Sequence, residues 1–137
     1  SWSDDSKRIA VCGAGSEKYV HAFMFDSGSS VGIMAGPAKT CNSVSFKQSR
    51  PYRVIVGSED FSSYFFAGPP FKLQSSIRDH TNFVNVVRYS PDGSNFVTGS
   101  SDGRVLLYEG KESVLKGCFG GEKTHDMGAT SVCWSAN

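Results

Sequence analysis

The sequence predicts an all-β fold built from repeated, antiparallel, four-stranded sheets. Short runs of β-branched and aromatic residues alternate with turn sequences along the 137 residues. Aromatic residues recur at a nearly constant spacing, which indicates an internal repeat. Each repeat also keeps one order: a turn, a strand that ends in glycine, and a strand that ends in an aromatic residue. These three observations predict repeated antiparallel sheets.

The spacing of the leading aromatic residues sets the repeat. They are Trp2, Phe46, Tyr89 and Trp134, separated by 44, 43 and 45 residues. A period of 40–45 residues with four strands in each repeat is typical of a β-propeller. We therefore expect about three blades, at residues 1–35, 40–78 and 83–120, with residues 129–137 starting the next blade.

The first repeat predicts three strands after its leading tryptophan. They are Ile9–Gly13, Val20–Phe25 and a weaker outer run, Val31–Met34. The segment Gly28–Gly32 also matches the G-x-S-x-G pattern of hydrolase nucleophiles, but that chemistry requires a strand-turn-helix context. No helical periodicity follows Ser30, so a serine-rich loop is the favoured interpretation and catalysis through Ser30 is the weakest of our hypotheses.

The second and third repeats predict more regular blades. After the strand at Phe46, the predicted strands of the second repeat are Tyr52–Gly57, Ser63–Phe66 and Phe71–Ile77. The predicted strands of the third repeat are Val84–Tyr89, Asn95–Gly99, Arg104–Tyr108 and Val114–Phe119. Pro91 presets φ in the first turn of the third repeat, and Gly93 tolerates positive φ. Asp102-Gly103 is a hairpin signal. Inner runs are continuously apolar, as expected where neighbouring blades cover both faces.

The loops of the third repeat carry a recognisable polar set. His80, Ser100 or Thr98, Asp102 and Tyr108 occupy the positions of the hydrogen-bonded network of a WD repeat, with tyrosine in place of the usual tryptophan. The second repeat has Pro37 near the histidine position and Phe66 at the tryptophan position. We therefore expect the second blade to be held together by packing alone.

Composition excludes several classes of function. The formal net charge of +1 gives no basic excess for nucleic acid, and the apolar runs are far shorter than a membrane span. The chain opens without the pattern of a signal peptide. The four cysteines (Cys12, Cys41, Cys118 and Cys133) lack metal-ligand spacing, which favours free thiols in a reducing cytosol. We expect no metal, no cofactor and no enzymatic activity.

Surface residues are then the candidates for function. In a propeller, the loops between second and third strands and those entering each first strand emerge at the same end. The candidate partner-binding residues there are Glu17, Lys18, Glu59, Asp60, Phe61, Asn82 and Phe83. Aromatic anchors dominate binding hot spots, so aromatic residues among acidic groups predict a partner-binding surface. The alternative is that Phe61 and Phe83 pack between blades while the acidic groups are only solvated.

Four segments resemble the WD-repeat actin-interacting protein one family: Asp26–Gly32, Gln48–Arg53, Gly68–Lys72 and Phe83–Gly93. The resemblance extends over nearly the whole chain. It implies part of the first of two tandem seven-bladed propellers, which bind cofilin-decorated actin filaments through acidic and aromatic residues that correspond to Glu17, Glu59 and Phe83. Leu73 departs from this pattern, which has an aromatic residue at that position.

The resemblance implies a non-enzymatic scaffold of the cytoplasm and cytoskeleton. Its partners would be actin filaments and cofilin, and it would promote filament severing, disassembly and barbed-end capping. The alternative is a generic WD-repeat adaptor unrelated to actin. Because three blades leave two inner faces open, we expect a fragment of a longer protein or a chain that completes its sheets by association.

Overall fold

The fold is a series of antiparallel sheets. The computed structural model describes residues 1–121 and 125–136. Its strands are β1 (Arg8–Cys12), β2 (Val20–Met24), β3 (Cys41–Phe46), β4 (Arg53–Ser58), β5 (Ser63–Ala67), β6 (Lys72–Ile77), β7 (Val84–Tyr89), β8 (Asn95–Ser100), β9 (Val105–Glu109) and β10 (Leu115–Cys118). No helix long and apolar enough to cross a membrane is found among the described residues.

Two of the three sheets contain four strands, in the order β3-β4-β5-β6 and β7-β8-β9-β10. The strand registers show that these sheets are equivalent. Phe46 pairs with Val54 and Val54 with Phe66. In the third sheet, Phe96 pairs with both Tyr89 and Tyr108. The predicted all-β fold of repeated four-stranded antiparallel sheets is confirmed.

The first sheet departs from the prediction because, within the part of the chain that the structure describes, it contains only β1 and β2. Trp2 makes a single bridge to Ile9, and Phe23, not Phe25, takes the register position of Phe66 and Tyr108. The predicted outer strand Val31–Met34 does not form. Gly32 instead bridges to Phe71, at the start of the next sheet. A side chain at residue 32, where φ is 154°, would collide with the Phe71 backbone, so this close approach requires glycine.

The core is divided between neighbouring sheets. One buried cluster combines residues of the first and second sheets, among them Ala10, Val54 and Phe66. A second cluster combines residues of the second and third sheets, among them Ile55 and Phe96. The second sheet therefore buries both faces against its neighbours, and this explains why its inner strands are continuously apolar.

The free edges of the inner strands are satisfied by side chains of the preceding sheet. β7 ends its sheet and has no strand neighbour on its outer side within residues 1–121 and 125–136. Ser43 Oγ accepts a hydrogen bond from the Val87 amide at 3.1 Å, and Ser45 Oγ accepts one from the Tyr89 amide at 3.0 Å. These contacts hold the second and third sheets at a fixed offset.

A further contact of this kind reaches the C-terminal segment. The Asn42 side-chain amide donates to the Val84 carbonyl at 3.4 Å, and the Asn85 side-chain amide donates to the Ala129 carbonyl at 2.9 Å. Residues 129–136 therefore start beside β7 as β7 starts beside β3. No strand forms in that segment of the described chain, so Trp134 leads no strand here.

Candidate partner-binding site

The loops of the third sheet are joined through His80. Its Nδ1 lies 2.9 Å from Asp102 Oδ2, and its Nε2 lies 2.7 Å from Thr98 Oγ1. Burial lowers the pKa of His80 by more than Asp102 raises it, so the imidazole is neutral at pH 7. Nδ1–H then donates to the carboxylate, and Nε2 accepts the threonine hydroxyl. Thr98, not Ser100, is the hydroxyl partner of this histidine.

Ser100 and Tyr108 take part in adjoining hydrogen bonds. Ser100 Oγ donates to the Asn82 carbonyl at 3.2 Å and accepts the Asp102 amide, also at 3.2 Å. The Tyr108 hydroxyl donates to Asp79 Oδ2 at 2.9 Å, and burial raises the pKa of Tyr108 so that it remains protonated. These bonds fasten the segment before β7 to the β8–β9 turn.

The second sheet has its own polar network, centred on Asp60. The Tyr64 hydroxyl donates to Asp60 Oδ2 at 2.6 Å, and the Ala38 amide donates to the same oxygen at 3.1 Å. The Ser62 amide donates to Asp60 Oδ1 at 3.0 Å. The prediction that packing alone holds this blade is therefore wrong. A tyrosine hydroxyl takes over the role that the histidine has in the third sheet.

The charge on Asp60 is stabilised by these bonds. Burial opposes ionisation, but the Tyr64 hydroxyl and the amides of Ala38 and Ser62 outweigh it, so the pKa of Asp60 is lowered. Burial, together with Asp60, raises the pKa of Tyr64 to about 12. The structure thus places Asp60, a candidate for partner binding, inside a network that joins the β4–β5 turn to the segment before β3.

The predicted loops meet at one end of the sheets. We call this end the rim; it comprises the turns 13–19, 59–62 and 101–104 and the segments 37–40 and 79–83. The Glu59 amide donates to the Thr40 carbonyl at 2.9 Å, and the Ser101 amide donates to the Phe83 carbonyl at 2.9 Å. Backbone hydrogen bonds therefore fix the turns 59–62 and 101–104 to the segments that enter their sheets.

Phe61 and Phe83 are brought together across two sheets. Their ring centroids lie 5.8 Å apart with the planes tilted by 47°. Phe61 remains 42% exposed and Phe83 remains 40% exposed, and neither belongs to a core cluster. The rings touch each other between neighbouring sheets, as the alternative interpretation proposed, yet much of the pair faces solvent.

The other predicted partner-binding residues lie in the same loops as the aromatic pair or in the turn of the first sheet. Glu59 directly precedes the Asp60 network, and its carboxylate has no hydrogen bond or ion pair within the described residues. Asn82 Oδ1 accepts the Phe83 amide at 2.8 Å and so fixes the loop backbone. Glu17 and Lys18 are exposed in the first sheet's turn, where they border a hollow of about 250 Å³. No ring contact joins that turn to the aromatic pair in the described part of the chain.

Ser30 and the four cysteines are the other residues with possible chemistry. The Ser30 hydroxyl donates to the Gly32 carbonyl at 3.1 Å, within an exposed loop. The four cysteines are free thiols. Residues 1–121 and 125–136 contain no group of three or more side chains placed to hold a metal ion.

Tyr64 is the functional residue that sequence reasoning missed. It lies four residues after Asp60, on the inner part of β5. The available signal was the repeat offset: Asp60 and Ser58 precede Asp102 and Ser100 by 42 residues. Aligning these pairs would have placed a carboxylate in the second blade and prompted a search for its donors.

Comparison with known proteins agrees with this geometry. The family described as "WD domain, G-beta repeat" matches residues 71–109, which span β6 to β9 and contain His80 and Asp102. The chain is 52% identical over 135 residues to "WD repeat-containing protein 1" of Bos taurus, covering 98% of this chain and 22% of the relative. The family resemblance is confirmed: the chain is a homologue of WD repeat-containing protein 1.

Other relatives of this family match over the same extent. The chain is 50% identical over 137 residues to "WD repeat-containing protein 1" of Xenopus tropicalis, covering 100% of this chain and 23% of the relative. It is 45% identical over 134 residues to "Actin-interacting protein 1" of Drosophila melanogaster, covering 98% of this chain and 22% of the relative. The chain thus spans less than a quarter of the length of the curated relatives it matches.

Proposed function

We propose that the chain is part of an actin-binding regulatory scaffold of the cytoplasm and cytoskeleton. In this proposal it has no enzymatic activity and acts with cofilin to promote severing and disassembly of actin filaments and capping of barbed ends. Its partners are actin filaments and cofilin, with no nucleic acid and no membrane. The relative named "Actin-interacting protein 1" supports the actin part of the proposal.

One observation supports the rim as the binding surface in this proposal. The exposed Phe61–Phe83 pair lies on the rim beside Glu59. Exposed aromatic rings offer a large apolar contact area, and the neighbouring Glu59 carboxylate, which has no partner among the described residues, is available to a cation on another molecule. An acidic and aromatic rim of this kind suits a protein partner better than a polyanion.

The mechanism we propose is differential binding. A scaffold that binds the cofilin-altered filament more tightly than the bare filament shifts the equilibrium toward the altered state. The free energy of that preference then lowers the barrier to breakage. A scaffold that bound both states equally would leave the filament unchanged.

Co-sedimentation of the 137-residue chain with actin filaments, with and without cofilin, tests the proposal. We expect more chain in the pellet when cofilin is present. Equal amounts in both pellets would exclude the cofilin-dependent mechanism, and absence from both pellets would exclude filament binding by this chain.

Substitutions test whether the rim is the filament-binding surface. A combined Glu17→Ala, Glu59→Ala and Phe83→Ala variant should lose filament binding. The matched control is Phe25→Ala with Glu112→Ala, which removes an exposed ring and an exposed carboxylate from turns at the opposite end of the sheets. Full binding by the first variant would favour a generic adaptor or another surface.

A further inference from the structure

The backbone at Phe61 adopts a conformation that aromatic residues rarely take. Its φ is 73°, in the left-handed region that suits glycine. The equivalent position in the third sheet follows Asp102 in the same way and is Gly103, with a φ of 85°. The second sheet thus places a bulky side chain where its neighbour has glycine.

Hydrogen bonds on both sides hold Phe61 in this conformation. The Asp60 amide donates to Ser58 Oγ at 3.3 Å, and Asp60 Oδ1 accepts the Ser62 amide at 3.0 Å. The Tyr64 hydroxyl fixes the other carboxylate oxygen. Because the residues before and after Phe61 are bonded within the sheet, the turn cannot relax without breaking these bonds.

Burial does not explain why the strain is kept. Phe61 is 42% exposed and lies outside the buried clusters. Its ring contact is with Phe83, which is itself 40% exposed. Strained backbone that the surrounding structure enforces is concentrated at binding sites, where it places a side chain in advance of binding. The strain at Phe61 is therefore better explained by the position of its ring than by the stability of the fold.

We propose that Phe61 and Phe83 form one joined two-ring contact surface for an apolar side chain of the actin filament, with a neighbouring basic side chain of the filament paired with Glu59. The left-handed backbone at Phe61 shapes this surface, because it holds the Phe61 ring against the Phe83 ring. This inference rests on the proposed function and adds to it the chemistry of the contact and the residue that shapes it. The unpaired carboxylate of Glu59 selects a basic neighbour over an acidic one.

The Phe61→Gly variant separates binding from stability. Glycine adopts this φ without strain, so we expect the thermal midpoint to stay unchanged or to rise by about 2–4 °C. We expect affinity for cofilin-decorated filaments to fall about tenfold or more, as for a hot-spot residue. Ser6→Gly is the matched control, since Ser6 also has a positive φ (56°) but is exposed in a turn at the opposite end. It should leave binding unchanged.

A double-mutant cycle tests whether the two rings act as one unit. Phe61→Gly and Phe83→Ala should each weaken binding, and the double variant should lose much less than the product of the two losses. Independent losses would overturn the joint contact surface, as would a Phe61→Gly variant that binds normally or one that loses stability and binding together. If Glu59→Ala and Phe83→Ala weaken binding while Phe61→Gly does not, this inference fails and the proposed function stands. If none of the three weakens binding, both fail at this surface.

Discussion

Asp60 and Asp102 show how one residue type is used twice with different partners. Each carboxylate accepts the amide two residues later in its own turn and an amide from the segment that enters its sheet. The remaining partner is the Tyr64 hydroxyl for Asp60 and the His80 ring for Asp102. The turn geometry is therefore set by the carboxylate, and the third partner can vary.

The first prediction concerns Asp60. Asp60→Ala would leave the Tyr64 hydroxyl and two backbone amides without their acceptor, and each buried, unsatisfied polar group costs about 1–3 kcal/mol. We expect the free energy of unfolding in urea to fall by about 2–3 kcal/mol in total, since the amides can recover part of the loss through water. Glu59→Ala, one residue earlier, is the control and should change stability by less than about 0.5 kcal/mol. Similar losses in the two variants would contradict a structural role specific to Asp60.

The second prediction concerns the pH dependence of stability. Burial lowers the pKa of His80 below its usual 6.5, so the unfolded chain takes up a proton there at higher pH than the folded chain. Its contribution to stability is therefore complete above about pH 6.5 and is lost as the pH falls below that value. We expect the thermal midpoint to fall between pH 7 and pH 5, and to fall less in a His80→Gln variant. Equal slopes for the two proteins would exclude His80 as the titrating group.

At the scale of elements, the second and third sheets were predictable and the first was not. In the third sheet, turn signals at Ser90–Gly93 and Asp102-Gly103 lie between strong β-branched runs, and β7 has the predicted bounds. The outer run of the first sheet is equally apolar, but its geometry depends on the close approach of Gly32 to Phe71. A contact between residues so far apart in sequence leaves no signal in local spacing.

At the rim, the sequence could not predict the contacts that form between neighbouring sheets. Sequence periodicity placed Phe61 and Phe83 at one end of the sheets, but it could not show that the rings touch. Nor could it show that a phenylalanine takes the left-handed conformation of Gly103. Both depend on how neighbouring sheets stack, which is determined by packing between repeats and not within one.

The third prediction concerns the serine contacts between inner strands. Ser45→Ala would remove the acceptor of the buried Tyr89 amide, and we expect a loss of about 1–3 kcal/mol in the free energy of unfolding. Ser76→Ala, at an exposed position of β6, is the control and should be within about 0.5 kcal/mol of the parent chain. Hydrogen exchange should also become faster at the Tyr89 amide. Unchanged exchange there would show that the serine does not protect the edge of β7.

At the scale of the whole molecule, the outer face of the third sheet is covered by no other sheet within the described residues. Val97, Val105 and Phe119 line an apolar hollow of about 250 Å³ with Val132 and Trp134. Contiguous apolar surface of this kind promotes association. The registers and the 42-residue offset between turns establish equivalent sheets, whereas the number of blades in a closed propeller remains a prediction from the resemblance.

The last prediction is that the 137-residue chain associates through this face. We expect the sedimentation coefficient to increase with protein concentration, because pairing two such faces removes apolar surface from water. Val132→Lys places a charge in the partly exposed hollow and should shift the chain toward monomer. Ile33→Lys is the matched control, since Ile33 is 80% exposed and lies in the first repeat; it adds the same charge and should leave the association unchanged. A parent chain that stays monomeric with cooperative unfolding would show that the third sheet tolerates this exposed face, and equal effects of the two lysine variants would assign the association to net charge instead.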